Sequence, residues 1–101
     1  PKALFDQLRT DSPPVVLDVR TAAEYDAGHI PEAINISHTE LKHRLDELSD
    51  FGDRPTVVHC QRGPRASVAL QILKNAGFSH LIELDGHMHR WQAEGYPLST
   101  R

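Results

Sequence analysis

The chain has 101 residues, of which 39% are hydrophobic and 25% are charged, and its formal net charge is -3. This length suits one globular domain with a single core. The slight acidic excess argues against a nucleic-acid or membrane-surface binder, and no apolar run approaches the roughly 20 residues of a membrane span.

The chain begins at Pro1 rather than at a methionine, and Cys60 is its only cysteine. We therefore expect residues 1–101 to form a single domain that is excised from a longer chain or processed. A lone cysteine forms no internal disulfide, which favours a reducing compartment. The expected location is cytoplasmic, or periplasmic if a signal peptide has been removed.

The first half of the chain alternates helical and strand patterns. In chain order it predicts a helix at 2–10, a strand at Val15–Val19, a short helix that ends near Gly28 and a strand at Ala33–Ile36. Thr21 and Glu24 form a capping-box pair at the start of the short helix. Ser37 and Glu40 form a second such pair, which predicts a further α-helix with Leu41, Leu45 and Leu48 on one face.

The second half continues the alternation. It predicts a strand at Thr56–His59, a helix from about Ala66 to Ala76, a strand at Leu81–Leu84 and a helix at 88–94. Strands that alternate with helices predict an α/β fold, with a small parallel sheet between helices on both faces. Ligands of such folds bind beyond the carboxyl ends of the strands, where the pattern places Asp18, Arg20 and Cys60.

Cys60 lies where a strand ends, ahead of Gln61-Arg62-Gly63-Pro64-Arg65 and a helical run. A strand, loop and helix in this order direct backbone N–H groups and a helix N-terminus toward one spot, which favours negative charge. The thiolate is the nucleophilic form of cysteine, and a positive environment stabilises it. The sequence therefore predicts Cys60 as the catalytic residue, with Gln61, Arg62, Gly63, Pro64 and Arg65 as the substrate-binding loop.

Three segments lie in this order along the chain: Leu17-Asp18-Val19-Arg20 with Gly28-His29-Ile30-Pro31, the loop from Cys60 to Arg65, and Leu84-Asp85-Gly86 with Trp91. They resemble motifs of the rhodanese-like sulfurtransferases. The matches run in the family's order from residue 15 to residue 97. The resemblance implies a three-layer rhodanese-like fold with about four to five strands, since the chain lacks the short strand that often precedes the first helix.

The same resemblance implies a function. Cys60 would take a sulfane sulfur from a small anionic donor such as thiosulfate and pass it, as a persulfide, to cyanide or a thiol. Arg62 and Arg65 would bind the oxyanionic donor. Asp18 and Arg20 would support the loop, through His29. No metal and no organic cofactor is implied.

The chain departs from the family at two positions. Glu32 and His87 stand where glycine is usual. Glycine marks tight backbone geometry, so each substituted side chain either reshapes the wall of the pocket or points outward.

Two other functions remain open. A persulfide carrier or regulatory module, which would serve a partner protein or a fused domain, needs the same loop. A cysteine phosphatase is a weaker alternative, although His59 before Cys60 suits it. Phosphatases place five residues between the cysteine and the arginine, where this chain has four. The shorter loop predicts a ring that fits one sulfur atom and is too small for a phosphoryl group.

Overall fold

A computed structural model gives the structure of the chain and describes residues 1–51 and 53–100. In chain order the elements are α1 (Lys2–Leu8), β1 (Val15–Asp18), α2 (Ala22–Ala27), β2 (Ile34–Asn35), β3 (Thr56–His59), α3 (Pro64–Asn75), β4 (Leu81–Glu83) and α4 (His87–Ala93). Two 3₁₀ segments, Leu41–His43 and Leu45–Phe51, lie between β2 and β3. None of the helices in these ranges is long and apolar enough to cross a membrane.

The four strands form one parallel sheet in the order β2-β1-β3-β4. The central strands β1 and β3 are buried at every position. Their near-continuous apolar sequence is what a parallel strand needs when both faces of the sheet are covered. The expected α/β fold, with a small parallel sheet, is confirmed.

The alternation of side chains along the strands builds one core on each face of the sheet. Leu17 and Val58 pack on one face with Leu73 of α3. Val16 and Val57 pack on the other face with Trp91 of α4 and Leu4 of α1. Because successive strand residues point to opposite faces, these two cores produce the three layers.

The helix predicted after Ser37 is wrong in type. The Ser37 hydroxyl contacts the Thr39 hydroxyl at 3.0 Å instead of the backbone of Glu40. The Glu40 carboxylate accepts a hydrogen bond from Arg44 at 3.0 Å. Neither half of the capping box forms, and the segment folds as the two 3₁₀ segments, with Leu41 and Leu48 buried.

Helix α3 begins two residues earlier than predicted, at Pro64. Proline suits the first helical position because its fixed φ is already helical and the missing N–H has no acceptor there. At the other end the N–H groups of Gly77 and Phe78 bond to the carbonyls of Lys74 and Leu73. This pattern closes the helix with Gly77 at a φ of +97°.

Candidate active site

Two neighbouring strand ends bring the candidate residues together. Asp18, the last residue of β1, lies opposite His59, the last residue of β3. The chain leaves these positions as Val19-Arg20 and as the Cys60 loop. The carboxyl edge of the sheet therefore places Arg20 beside Cys60's loop, as predicted from the alternation of the elements.

Cys60 forms the floor of its loop and is only 1% exposed. The Gly63 N–H donates a hydrogen bond to its Sγ atom over 3.0 Å. Gly63 has a φ of +135°, which is in the region that favours glycine. This turn is what directs the amide at the sulfur, and an N–H donor at this position stabilises negative charge on Sγ.

A buried ion pair holds the loop on the α2 side. The Arg20 guanidinium binds both carboxylate oxygens of Asp18, with its closest contact at 2.7 Å, and both side chains are almost fully buried. Arg20 Nη1 donates to Gln61 Oε1 at 3.2 Å, and Nη2, which makes the 2.7 Å contact with Asp18, also donates to the Gly28 carbonyl at 2.9 Å. Arg20 thereby connects β1, the loop and the end of α2.

The two arginines of the loop have different environments. The Arg65 guanidinium forms two hydrogen bonds, of 2.6 and 3.0 Å, to the carboxylate of Glu24 on α2. These hydrogen bonds lower the pKa of Glu24 to about 2 and raise the pKa of Arg65. Arg62 is exposed and has no hydrogen-bond or ion-pair partner among the described residues. Arg62 is thus the loop cation whose charge no described carboxylate neutralises.

His59 lies beneath the loop with no exposed surface. Its Nδ1–H donates to the Cys60 carbonyl at 3.1 Å, and its Nε2 atom lies 3.8 Å from Asp18 Oδ2. Burial lowers the pKa of His59 despite the nearby carboxylate, because a low-dielectric environment disfavours the imidazolium. His59 is therefore a neutral support of the loop backbone.

His29 does not make the contact expected of it. Its Nδ1 atom bonds to the Tyr25 carbonyl at 2.8 Å, and its ring stacks on the Tyr25 ring. Its backbone pairs with Ser99. The support that Arg20 gives to the loop passes through Gln61 and the Gly28 carbonyl instead.

The two departures from the family's glycines differ in the structure. Glu32 and His87 both have positive φ, at 70° and 53°. The Glu32 residue is exposed. The His87 side chain is buried, and its Nδ1 atom accepts the backbone N–H of Cys60 at 3.2 Å. The sequence marked His87 as a departure from the family, but we did not predict it as a site residue. The residue that stands in place of the usual glycine was the signal that could have identified it.

Comparisons with known proteins agree with this geometry. Residues 2–94 match the family described as Rhodanese-like domain. The chain is 44% identical over 86 residues to an HTH-type transcriptional regulator of Mycobacterium tuberculosis. The matched region is 82% of this chain and 36% of the regulator. It is 34% identical to an adenylyltransferase and sulfurtransferase of Drosophila grimshawi over 80% of this chain and 19% of that protein. The chain thus spans well under half of either relative.

The fold has close structural neighbours. A rhodanese-related protein from Thermoplasma volcanium superposes with a TM-score of 0.84 and is 30% identical in sequence. The superposition covers 97% of this chain and 92% of the neighbour. Nearly the whole of both chains therefore shares one fold.

Proposed function

The chain belongs to the rhodanese-like domain family, and on that premise we propose that it is a sulfurtransferase that carries a sulfane sulfur on Cys60. The observation that carries the proposal is the hydrogen bond of 3.0 Å from the Gly63 N–H to Cys60 Sγ. It lies in a loop that begins at the end of a central strand and closes on the N-terminus of α3. This arrangement favours an anionic sulfur at the loop floor.

The reaction has two displacement steps. The Cys60 thiolate attacks the outer sulfur of thiosulfate, a new S–S bond forms, and sulfite leaves with the electron pair of the broken S–S bond. The acceptor, cyanide or a thiolate, then attacks the outer sulfur of the Cys60 persulfide. That S–S bond breaks, its electron pair returns to Cys60 as thiolate, and the acceptor leaves with the sulfur.

The two arginines of the loop would have different roles. Exposed Arg62 would pair with the oxygens of an anionic donor. Arg65 is held by Glu24, so its guanidinium would fix the loop's end and add positive potential behind the sulfur. Gln61 is fixed by Arg20, and Pro64 begins α3. The small anionic donor would therefore bind to exposed Arg62 before its outer sulfur reaches Cys60.

The burial of Cys60 supports sulfur transfer over phosphoryl transfer. A thiol that is 1% exposed suits a reagent that presents one narrow sulfur atom. A phosphoryl group on Sγ would need room for three further oxygens and their hydrogen-bond donors. The cysteine phosphatase is therefore the weaker proposal.

A persulfide carrier or regulatory module is the second candidate. The similarity to an HTH-type transcriptional regulator, of which the matched part is about a third, favours it. In that case Cys60 would receive sulfur from a partner's persulfide rather than from thiosulfate. The chemistry at Cys60 is the same, and only the donor differs.

The test offers thiosulfate to the purified chain and follows its intact mass and the release of thiocyanate after addition of cyanide. We expect an adduct of one sulfur atom that cyanide removes and that Cys60→Ser abolishes. An adduct that forms only with a low-molecular-weight persulfide would select the carrier. No adduct from either donor would refute both.

Arg62→Gln provides the control for donor recognition. We expect it to raise the KM for thiosulfate with little change in kcat, because it removes binding that is similar in the ground and transition states. Uptake from a persulfide donor that carries no oxyanion should change little. An equal effect on both donors would contradict the role given to Arg62.

A further inference from the structure

His87 connects the Cys60 backbone to a carboxylate on the neighbouring strand. Its Nδ1 atom accepts the Cys60 N–H at 3.2 Å, and its Nε2 atom lies 2.8 Å from Glu83 Oε2. Since Nδ1 is an acceptor here, the proton of the neutral ring is on Nε2 and is donated to Glu83. The two contacts fix both the tautomer and the orientation of the ring.

The position of His87 carries a conformational cost. A φ of 53° is unfavourable for a residue with a Cβ atom, and glycine would relieve the strain. The ring is nevertheless buried, at 5% exposure. It also lies beside the turn, because a Cβ atom built on Gly63 would be 3.4 Å from His87 Nε2. The imidazole therefore packs against both the first residue and the turn of the loop.

The ionisable groups that face His87 come from two neighbouring elements. At the end of β3 they are Cys60 and His59. On β4 the group is Glu83. On its own helix, Arg90 is exposed and bound to Asp85 and Glu94. Of these groups, Glu83 and Cys60 are the two that His87 contacts by hydrogen bonds.

We propose that His87 is a positioning residue that makes the Cys60 loop sensitive to protonation. The neutral ring holds the Cys60 N–H and so fixes the backbone beneath the sulfur. A proton on Nδ1 turns this acceptor into a donor that faces another N–H, and the hydrogen bond breaks. The inference deepens the proposed function and rests on it: acid releases the loop and slows sulfur uptake.

Two substitutions distinguish the effect of the hydrogen bond to the Cys60 N–H from the effect of protonating the His87 ring. His87→Asn keeps an acceptor on Cγ and tolerates positive φ, but it does not titrate. His87→Gly removes the acceptor and also relieves the backbone strain. We expect His87→Asn to keep the rate of sulfur uptake at neutral pH, and His87→Gly to lower it roughly fivefold, the size of one neutral hydrogen bond.

The pH profile is the decisive measurement. In the wild-type chain we expect sulfur uptake to follow two ionisations, that of the thiol and that of His87, and both substitutions should leave one. Superimposable profiles for the wild-type chain and His87→Asn would overturn the proposal, as would an equal loss in His87→Asn and His87→Gly.

A readout without sulfur transfer keeps this inference separate from the proposed function. The Cys60 amide shifts in a proton–nitrogen NMR titration should follow the His87 ionisation and lose that dependence in His87→Asn. Amide titration in a chain without transferase activity would support the loop coupling and refute the transferase. An amide that does not titrate in an active chain would refute the coupling alone.

Glu32→Gly is the matched control for backbone strain. Glu32 has the same sign of φ but lies at the amino end of the sheet, where it lines a cavity with Val15. We expect this substitution to stabilise the fold and to leave both the uptake rate and its pH profile unchanged. A change in the profile would show that strain relief, rather than the His87 ring, controls the loop.

Discussion

The Cys60 loop is held differently on its two sides. On the α2 side the contacts are ion pairs, Asp18 with Arg20 and Glu24 with Arg65. On the α4 side they are uncharged: the Met88 N–H donates to the Cys60 carbonyl, and the His89 N–H donates to the Gln61 carbonyl. The α2 side therefore supplies fixed charge to the site, whereas the α4 side supplies geometry through backbone groups and one titratable ring.

The largest effect should come from breaking the buried ion pair of the α2 side. Asp18→Asn leaves the Arg20 guanidinium buried without its counter-charge, and such losses cost about 3 kcal/mol of unfolding free energy or more. Urea unfolding measures the effect. Asp6→Asn, at the exposed ion pair between Lys2 and Asp6, is the control and should leave the midpoint nearly unchanged. Equal urea midpoints for the two variants would contradict the conclusion that the buried ion pair of the α2 side stabilises the fold.

A smaller effect should come from the partly exposed ion pair between Arg65 and Glu24, whose side chains are 29% and 34% exposed. Glu24→Gln keeps an acceptor for the Thr21 N–H but removes the charge that faces Arg65, at a cost of about 1 kcal/mol after allowance for solvent screening. The pKa of Glu24 falls from 4.5 to about 2 on folding. Its contribution is therefore complete above pH 4.5 and is lost as the pH falls toward 2.

Unfolding free energies measured between pH 6 and pH 2 test this sign. The difference between the wild-type chain and Glu24→Gln should shrink as the pH falls through that window. Thr21→Ala is the matched comparison, since it removes the helix cap and the hydrogen bond from the Thr21 hydroxyl to Glu24 but keeps the ion pair. It should retain most of the wild-type acid dependence, because the hydrogen bond from Arg65 is the largest cause of the low pKa of Glu24. A constant difference at all pH values would refute the ionic origin of the contact.

The smallest effect should come from the α4 side. Gln92→Ala removes the hydrogen bond of 3.1 Å that Gln61 Nε2 donates to Gln92. This contact is exposed, so we expect a change below about 0.5 kcal/mol and a sulfur-uptake rate within twofold of wild type. A loss of unfolding free energy as large as that of Glu24→Gln would contradict the difference between the two sides. Side chains of α4 would then stabilise the loop as much as the ion pairs of the α2 side do.

Local sequence signals predicted the elements that depend on local physics. The apolar runs of β1 and β3 indicated two buried strands, and the Thr21–Glu24 capping box forms as expected. The Ser37–Glu40 pair has the same pattern and failed, because Arg44 and Thr39 offered other partners for its side chains. The capping hydrogen bonds therefore compete with bonds to other nearby side chains, and the sequence does not show which of these bonds is favoured.

Long-range contacts in the site could not be read from the chain. The pairing of Arg65 with Glu24 joins residues 41 positions apart, and the loop's pattern does not indicate which carboxylate Arg65 contacts. Asp18 and Arg20 were predicted as loop supports, but the route through Gln61 depends on side-chain reach. For His87, the missing glycine marked the position, while the acceptor role depends on the direction that a positive φ gives to the ring.

The central position of β3 has a consequence for motion. Both neighbours of β3 are strands, and every residue from Thr56 to His59 is buried. By contrast β2 has two half-buried residues, and β4 is an outer strand with Ile82 and Glu83 exposed. Amide hydrogens of Val57 and Val58 should thus exchange with solvent only in rare, near-global openings. Cys60 directly follows this slowly exchanging strand, so changes in the loop can occur while the strand beneath it stays fixed.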